Sequence, residues 1–399
     1  MTTSAARMRE WKGPALLSFG FRPFFLFGSV WAAVALSLWV IALAGGPFVP
    51  TAFDMVSWHA HEMLFGYLGA VLAGFLLTAV PNWTGRLPMT GWPLAALFAL
   101  WVAGRIGVSM SALLGFAAAA VLDLAFPVAL IAVLAREIVA GRNWRNLPVL
   151  ALIGGFALAN GLYHQSAASG GFPAGEAPLR IGLGVAVMMI LVIGGRIVPS
   201  FTRNWLAARG DAARPVPFGA NDRTVIILGG VAVIAWAARP EGAITALLCL
   251  AAGLATFWRM ARWCGWRTLA EPLVWVLHAG FAFVPSGFLA IAAAAVGLVP
   301  RPAAEHVWTA GAVGLMTLAV MTRASLGHSG RPLTASAAIS ALYWALILSV
   351  TTRFLAALLP DQTWLLHVAA AGWIAAFGGF AVIYWPILTR PRFSARRPN

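Results

Sequence analysis

Seven histidines are the residues of this sequence best suited to metal chemistry. Neutral imidazole is the commonest metal ligand in proteins, and a helical bundle can hold a planar haem between two histidines on facing helices. His61 and His306 fit that description, because the sequence around them repeats at a spacing of 245 residues that also aligns Gly66 with Gly311. We therefore predict a haem b ligated by His61 and His306. The alternative is a pair of interfacial histidines that bond water and loop carbonyls.

A second metal site is suggested by histidines outside this pair. His59 lies two residues before His61, a rotation of about 200° on a helix, so the two rings cannot easily share one metal axis. Copper or another haem iron would accept imidazole nitrogens from His59, His164 and His367 if these three converge near the outer face. Structural hydrogen bonding is the alternative. The candidate metal ligands are therefore His59, His61, His164, His306 and His367.

Two arginines and two glutamates could assist a bound haem. Arg105 and Arg353 end predicted helices on the outer side, where a guanidinium could pair with haem propionates. Contact with lipid phosphate is an equally good interpretation of both. Glu62 and Glu305 each adjoin a candidate ligand and could accept a hydrogen bond from it, or could be ordinary carboxylates at solvated helix N-termini.

The opposite side of the predicted membrane carries a glycine-rich segment, Gly-His-Ser-Gly-Arg-Pro, over residues 327–332. Glycine-rich backbone beside Arg and His can form an anion-binding loop. The candidate residues for this cytoplasmic-side site are His278, His328 and Arg331. An ordinary basic cytoplasmic loop is the alternative.

The elements that must position these residues are membrane helices. Of 399 residues, 61% are hydrophobic and only 10% charged, which leaves too little polar surface for a soluble domain. At about 20 apolar residues a span, the chain has room for around twelve transmembrane helices and no sizeable extramembrane domain, so we predict one all-helical membrane domain over residues 1–399. The predicted helices are 24–44, 58–80, 92–107, 110–135, 147–168, 178–200, 224–238, 243–264, 271–298, 304–326, 335–358 and 363–388.

The basic residues give this arrangement an orientation. Of the 27 basic residues, 22 fall in alternate loops on one side of a twelve-helix plan. The positive-inside rule then places both termini in the cytoplasm. Because the arginines are scattered between apolar stretches, their expected partners are lipid headgroups and not nucleic acid.

An internal repeat relates three of the predicted helices. A shift of 245 residues aligns helix 2 with helix 10, and a shift of 118 residues aligns Val80-Pro81 with Val198-Pro199, which adds helix 6. These matches predict a threefold pseudo-repeat of four helices, although chance matches are easy in a glycine-rich chain.

Several stretches of the sequence carry a resemblance that extends over nearly the whole chain. They are 58–63, 74–85, 194–196, 199–204, 277–278 and 327–333. In these stretches the chain resembles the NnrS family, whose members are polytopic bacterial inner-membrane proteins with haem and copper, associated with denitrification and with relief of nitric-oxide stress. The resemblance implies haem and copper as cofactors, nitric oxide as a ligand, and an electron donor of unknown identity. Whether it implies an enzyme, an NO-metabolising haem oxidoreductase, is left open.

A weaker similarity is to the catalytic subunit of haem-copper oxidases and nitric-oxide reductases, which also has twelve helices in three groups of four. In that family helices 2 and 10 supply the low-spin haem ligands, as predicted here for His61 and His306. The chain departs from that family at predicted helices 6 and 7, which carry Met188 and Met189 but no histidine. A nitric-oxide reductase centre of that type is therefore not expected.

Two other functions are compatible with the sequence. Internal repeats also frame midplane sites in transporters, so a transporter of a metal or small anion is one alternative. A scaffold that hands haem or metal to denitrification enzymes is another. The histidines lie nearer the predicted membrane faces than the midplane, which favours the haem-binding, nitric-oxide-response prediction over transport.

Overall fold

A computed structural model describes residues 11–393, and within them the chain is helical, as the composition predicts. Twelve helices are long and apolar enough to cross a membrane, which confirms the predicted number. They are α1 Phe21–Leu43, α2 Met55–Thr84, α3 Trp92–Ser109, α4 Phe116–Ala140, α5 Trp144–Ala168, α6 Ala177–Ala208, α7 Ala220–Ala238, α8 Ala243–Ala261, α9 Pro272–Ala295, α10 Arg301–His328, α11 Ala337–Leu358 and α12 Trp364–Thr389.

Local sequence explains where several helices begin and end. The Asp54 carboxylate accepts a hydrogen bond from the Ser57 N–H at 2.9 Å, which satisfies one of the free donors at the start of α2. The sequence prediction ends α6 at residue 200, whereas the helix continues to Ala208, and it places α4 at 110–135, whereas the helix spans Phe116–Ala140. Residues Ser111–Leu114 instead form a separate helical turn, and Gly115, with φ of 81°, separates that turn from α4.

The chain divides into two compact units. Unit 1 comprises Met1–Gly182, Met321–Leu333 and Phe377–Asn399, and unit 2 comprises Leu183–Val320 and Thr334–Ala376. Each unit has an aromatic core. In unit 2, for example, the fully buried Trp308 packs edge-on against Trp236 and Phe288, at ring-centroid distances of 5.2 and 5.0 Å. The single membrane domain expected from the sequence stays a prediction.

The three longest helices, α2, α6 and α10, each contain a π-helical segment, at Glu62–Leu68, Ile190–Gly194 and Val307–Leu315. These are the three helices that the repeat relates. The segments in α2 and α10 begin 245 residues apart, the spacing of the repeat itself. A π-helical turn frees backbone carbonyls from the regular ladder and is frequent at functional sites. The resemblance to haem-copper oxidases stays a prediction.

Candidate metal centre

Three potential metal ligands converge in the interior of unit 1. His61 comes from α2, Asp123 from α4 and His164 from α5, and one ligand atom of each lies within 4.8 Å of the others. The Oδ2 atom of Asp123 is 3.2 Å from His61 Nε2 and 3.0 Å from His164 Nε2. All three side chains are buried, with exposed fractions of 0%, 2% and 3%.

These separations suit a metal ion. Bonds of about 2.0–2.1 Å to imidazole nitrogen and carboxylate oxygen, at tetrahedral angles, place neighbouring ligand atoms about 3.3 Å apart. The carboxylate-to-imidazole distances are within a few tenths of an ångström of that value. His164 also has an uncommitted nitrogen, because its buried Nδ1 has no hydrogen-bond partner among residues 11–393. Modest side-chain movement would therefore let the three residues bind one ion.

A second layer of polar groups fixes the orientation of the candidate ligands. His61 Nδ1 lies 2.9 Å from Glu62 Oε1, and a carboxylate on the far nitrogen is the usual way in which a metal-binding histidine is oriented. Asn160 donates from Nδ2 to Asp123 Oδ2 at 2.7 Å, and its Oδ1 lies 2.9 Å from His61 Nε2. Asn160 thus bridges two of the three candidate ligands.

Arg105 joins the two carboxylates of this site. Its Nη1 donates to both oxygens of Glu62 at 2.6 Å, and its Nη2 donates to Asp123. The guanidinium passes beside the π-helical segment of α2, where a Cβ on Gly66 would overlap it, so a glycine is needed for this approach. Contact of Arg105 with lipid phosphate, the alternative considered from the sequence, does not fit this geometry, because its side chain is only 5% exposed.

The two carboxylates of the site need a second cation beside Arg105. When ionised, Glu62 and Asp123 carry two negative charges, and Arg105 supplies one positive charge. Both ring nitrogens of His61 lie against oxygen atoms, of Glu62 on one side and of Asn160 and Asp123 on the other, so a doubly protonated His61 supplies the second positive charge. A metal ion bound by His61, Asp123 and His164 would replace that proton and keep the charges balanced, which matters because an uncompensated charge is costly in a buried site inside a membrane protein.

The cavity next to the cluster is small. It has a volume of about 20 Å³, room for one water molecule, and its lining includes Asp123 and Asn160 but not His61 or His164. A ligand of drug size or larger needs about 300–1,000 Å³. Both ring nitrogens of His61 are also in contact with side chains of the chain itself. A haem at His61 would therefore require a different packing of α2, α4 and α5.

The other predicted outer-face ligands lie elsewhere. His59 stacks on Trp39 with a ring-centroid distance of 4.3 Å and is not in the cluster. His306 belongs to unit 2, where its Nδ1 donates to the Pro302 carbonyl at 2.6 Å. His367 and Arg353 also belong to unit 2, the first exposed and the second half-buried. The pairing of His61 with His306, and the convergence of His59, His164 and His367, stay predictions.

The cytoplasmic-side candidates are divided between the units. In unit 2, His278 Nε2 lies 2.7 Å from the Thr202 hydroxyl, which itself donates to the Val198 carbonyl, so the imidazole is the donor of this pair. In unit 1, His328 packs against Phe19 and Phe21 at ring-centroid distances of 5.6 Å. Arg331 is exposed just beyond α10. A common site for the three stays a prediction.

Sequence reasoning missed Asp123 and Asn160. A signal for Asp123 was present, because it is an acidic residue in the middle of an apolar predicted helix, and such residues are functional candidates by default. Asn160 carried a weaker signal, since an uncharged amide in a membrane helix often bonds within the bundle. A single sequence gives the depth of such residues but not which face of the helix they occupy.

A loop outside the membrane-spanning helices packs against the first turn of α2 near this site. Its Glu176 accepts hydrogen bonds from the Ser166 hydroxyl at 2.6 Å and the Phe172 N–H at 2.9 Å, and these bonds lower the pKa of Glu176 below its ordinary value of 4.5. The same loop reaches α2, because the Ala174 N–H donates to the Ser57 hydroxyl at 3.4 Å.

The lowered pKa makes the stability of this loop depend on pH. A carboxylate whose pKa is depressed by folding stabilises the folded state above its unfolded pKa, and that contribution is lost as the pH falls through the folded value. We expect the melting temperature of the wild type to fall below pH 4.5 more steeply than that of Glu176→Gln, by a few degrees at most because the group is largely solvated. Parallel melting curves between pH 6 and pH 3.5 would contradict this.

Comparison with known proteins assigns the chain to a family. The family model described as NnrS protein matches residues 15–392. No curated protein matches the sequence. The family match spans all twelve helices, the cluster of His61, Asp123 and His164, and the segment after α10. The chain therefore belongs to the NnrS family.

Proposed function

We propose that this NnrS-family membrane protein binds a copper ion at His61, Asp123 and His164 and acts in the response to nitric oxide. The observation that carries the metal proposal is the convergence of these three side chains in a buried site that also holds a carboxylate behind His61. The nitric-oxide role, and a place in a bacterial inner membrane, are supported by family membership.

The donor set favours copper among the divalent metals. Imidazole nitrogen suits copper, zinc, iron and nickel, and for a given nitrogen and oxygen site the affinity is highest for Cu²⁺. Three protein ligands leave at least one coordination position open. Two histidines with one carboxylate also suit non-haem Fe²⁺, so metal analysis has to separate copper from iron.

The residues around the ligands would prepare and protect the site. Glu62 orients the His61 ring, and Asn160 holds Asp123 beside it. Arg105 keeps both carboxylates in place. Phe65, Phe126 and Phe156 line the adjoining cavity with apolar rings. A copper ion bound there supplies one-electron redox chemistry and an open position for a small ligand such as nitric oxide.

Haem b stays a second proposal, with His61 and His306 as ligands and the family as its support. Arg105 would serve it poorly, because Glu62 and Asp123 already occupy that guanidinium. The two proposals also compete for His61. They differ in one respect that can be measured: the copper proposal requires His164 and Asp123, whereas the haem proposal requires His306.

The test is the metal content and metal affinity of the purified protein. We expect stoichiometric copper in the wild type, and at least a 100-fold loss of affinity in His164→Ala and Asp123→Asn, because each removes a direct ligand. Glu62→Gln should cost about 10–100-fold, since it acts only through the orientation of His61. Elemental analysis, copper titration and electron paramagnetic resonance with and without nitric oxide provide the readouts.

Two control variants sharpen this test. His59→Ala removes a neighbouring histidine that lies outside the cluster, so it should leave copper binding unchanged. His306→Ala should also leave copper unchanged and should abolish any sharp reduced haem band if the haem proposal is correct. Unaltered copper affinity in both His164→Ala and Asp123→Asn would contradict the copper proposal. Copper loss in His59→Ala and His164→Ala, with copper retained in Asp123→Asn, would instead support the convergence of His59, His164 and His367 predicted from the sequence.

A further inference from the structure

A second charged side chain lies buried in unit 1, away from the candidate metal centre. Arg22, in the first turn of α1, has no exposed surface. Its Nη1 donates to the carbonyls of Leu388 at 2.8 Å and Arg390 at 2.7 Å, and so joins the start of α1 to the end of α12. Trp31, which contacts Glu62 of the metal centre, is nine residues further along α1, or about 13.5 Å.

Apart from a cation–π contact between its Cζ and the Phe21 ring at 5.7 Å, the rest of this guanidinium is unsatisfied within the described residues. Its Nε and Nη2 are buried and have no hydrogen-bond acceptor among residues 11–393, and no carboxylate in that range forms an ion pair with it. Nε and Nη2 together make one edge of the planar group, the edge that binds carboxylates and phosphates through two parallel hydrogen bonds. A buried cation with an empty bidentate edge is costly unless an anion occupies it.

Further unused donors lie at the same end of unit 1. The ring of Phe21, beside Arg22, packs on His328 at the end of α10. In that part of α10 and just beyond it, the hydroxyls of Ser325 and Ser329 are buried and have no partner in the described chain.

The glycine-rich segment is held at this end by the C-terminal segment that follows α12. The Ser329 carbonyl accepts a hydrogen bond from the Phe393 N–H at 3.0 Å. The Arg392 side chain lies against Gly330, so a further basic group is close. For this segment, an anion-binding loop was one of the two interpretations of the sequence. The segment therefore carries a basic group, a buried hydroxyl and glycine backbone, and the His328 ring within it packs on Phe21, the neighbour of Arg22.

We propose that Arg22, with the hydroxyls of Ser325 and Ser329, forms an anion site for a phosphate group. Phosphate suits the donors, because its several oxygens can accept two bonds from the free edge of Arg22 and others from hydroxyls. The group could be inorganic phosphate or the phosphate of a phospholipid headgroup, since α1 begins near the expected cytoplasmic surface. The site is separate from the copper proposal and does not depend on it.

The experiment measures thermal stability in two arms. In the first, delipidated protein in neutral detergent is titrated with inorganic phosphate, with sodium chloride at matched ionic strength as the salt control. In the second, the protein is placed in phosphatidylcholine nanodiscs with and without phosphatidylglycerol, and retained lipid is counted by native mass spectrometry. A ligand that binds only the folded state raises the melting temperature with its concentration.

We expect saturable stabilisation in one arm, and which arm responds identifies the source of the phosphate. Arg22→Lys keeps the charge but loses the bidentate edge, so its apparent affinity should fall about tenfold or more. Ser329→Ala should fold normally and weaken binding several-fold. Arg86→Lys, at an exposed arginine of the same unit, should match the wild type.

Several results would overturn the proposal. One is the absence of stabilisation in both arms. Another is a wild-type response in both Arg22→Lys and Ser329→Ala. If Arg22→Lys does not fold, Ser329→Ala and Ser325→Ala provide the test, because each removes only a buried hydroxyl and leaves the charge of the protein unchanged. Unchanged affinity in these two variants contradicts the site as proposed.

Discussion

Replacement of Arg105 by methionine is expected to destabilise the protein by about 3–5 kcal/mol, the cost of removing one partner of a buried ion pair. Arg105 bonds both Glu62 and Asp123, and unlike the neighbouring His61 its guanidinium is charged at every accessible pH. Methionine has similar length and keeps the apolar contacts of the stem, so the loss is chiefly that of the charge and its hydrogen bonds. Two buried carboxylates would then lie close together without that guanidinium.

The reason for the loss can be tested by rescue. In Arg105→Met/Glu62→Gln one negative charge is removed together with the positive one, so we expect the double variant to recover part of the stability lost in the single variant. Thermal and denaturant unfolding in detergent, applied to all four members of the cycle, give the coupling between the two residues. Without a positive coupling, the charge argument fails.

A matched arginine provides the control. Arg86 also pairs with a glutamate in unit 1, Glu137, but its side chain is 44% exposed. Exposed pairs contribute less than about 1 kcal/mol, so Arg86→Met should be mild. Equal destabilisation in Arg86→Met and Arg105→Met would mean that burial of the pair is unimportant. A copper-loaded wild type should show a still larger difference, because metal binding adds to the stability of the folded state.

The twelve helices were predictable because each is a long apolar run, and the bilayer sets its minimum length. The same rule does not predict the separate turn before α4, because Ser111–Leu114 is as apolar as the helix that follows. The π-helical segments of α2, α6 and α10 were not predicted at all. A π-helical turn is a small change in backbone pairing with no characteristic residue, so only the tertiary structure reveals it.

The sequence predicted several residues of the candidate site, but it did not predict which of them lie together. His61 and His164 were predicted as metal ligands, and Arg105 was predicted as a partner of haem propionates. Their partners were assigned by repeat position and depth, which are one-dimensional. The structure shows which sides of α2, α4 and α5 face one another, and this arrangement places Asp123 between His61 and His164. Depth alone could not distinguish that arrangement from a pairing with His59 or His306.

A second large loss of stability is expected when a buried arginine of unit 2, Arg259, is replaced. Arg259 has no exposed surface and donates from Nε to Asp222 at 3.0 Å. Its Nη1 and Nη2 donate to the carbonyls of Leu191 and Gly195, at 3.2 and 3.1 Å, within and just after the π-helical segment of α6. The π-helical turn releases carbonyls that need donors, and Arg259 supplies them while it neutralises Asp222.

We therefore expect Arg259→Leu to cost about 3–5 kcal/mol, because it leaves a buried carboxylate and two carbonyls without their donor. Arg262→Leu is the matched control: it approaches the same carboxylate only to 3.9 Å and its side chain is 22% exposed, so it should cost less than about 1 kcal/mol. Hydrogen exchange separates the two consequences. In Arg259→Leu the amides of residues 190–195 should exchange faster than in Arg262→Leu, since the π-helical turn has lost its support. Faster exchange spread evenly over unit 2 would point to general destabilisation, and equal melting temperatures for the two variants would show that Arg259 does not support the turn.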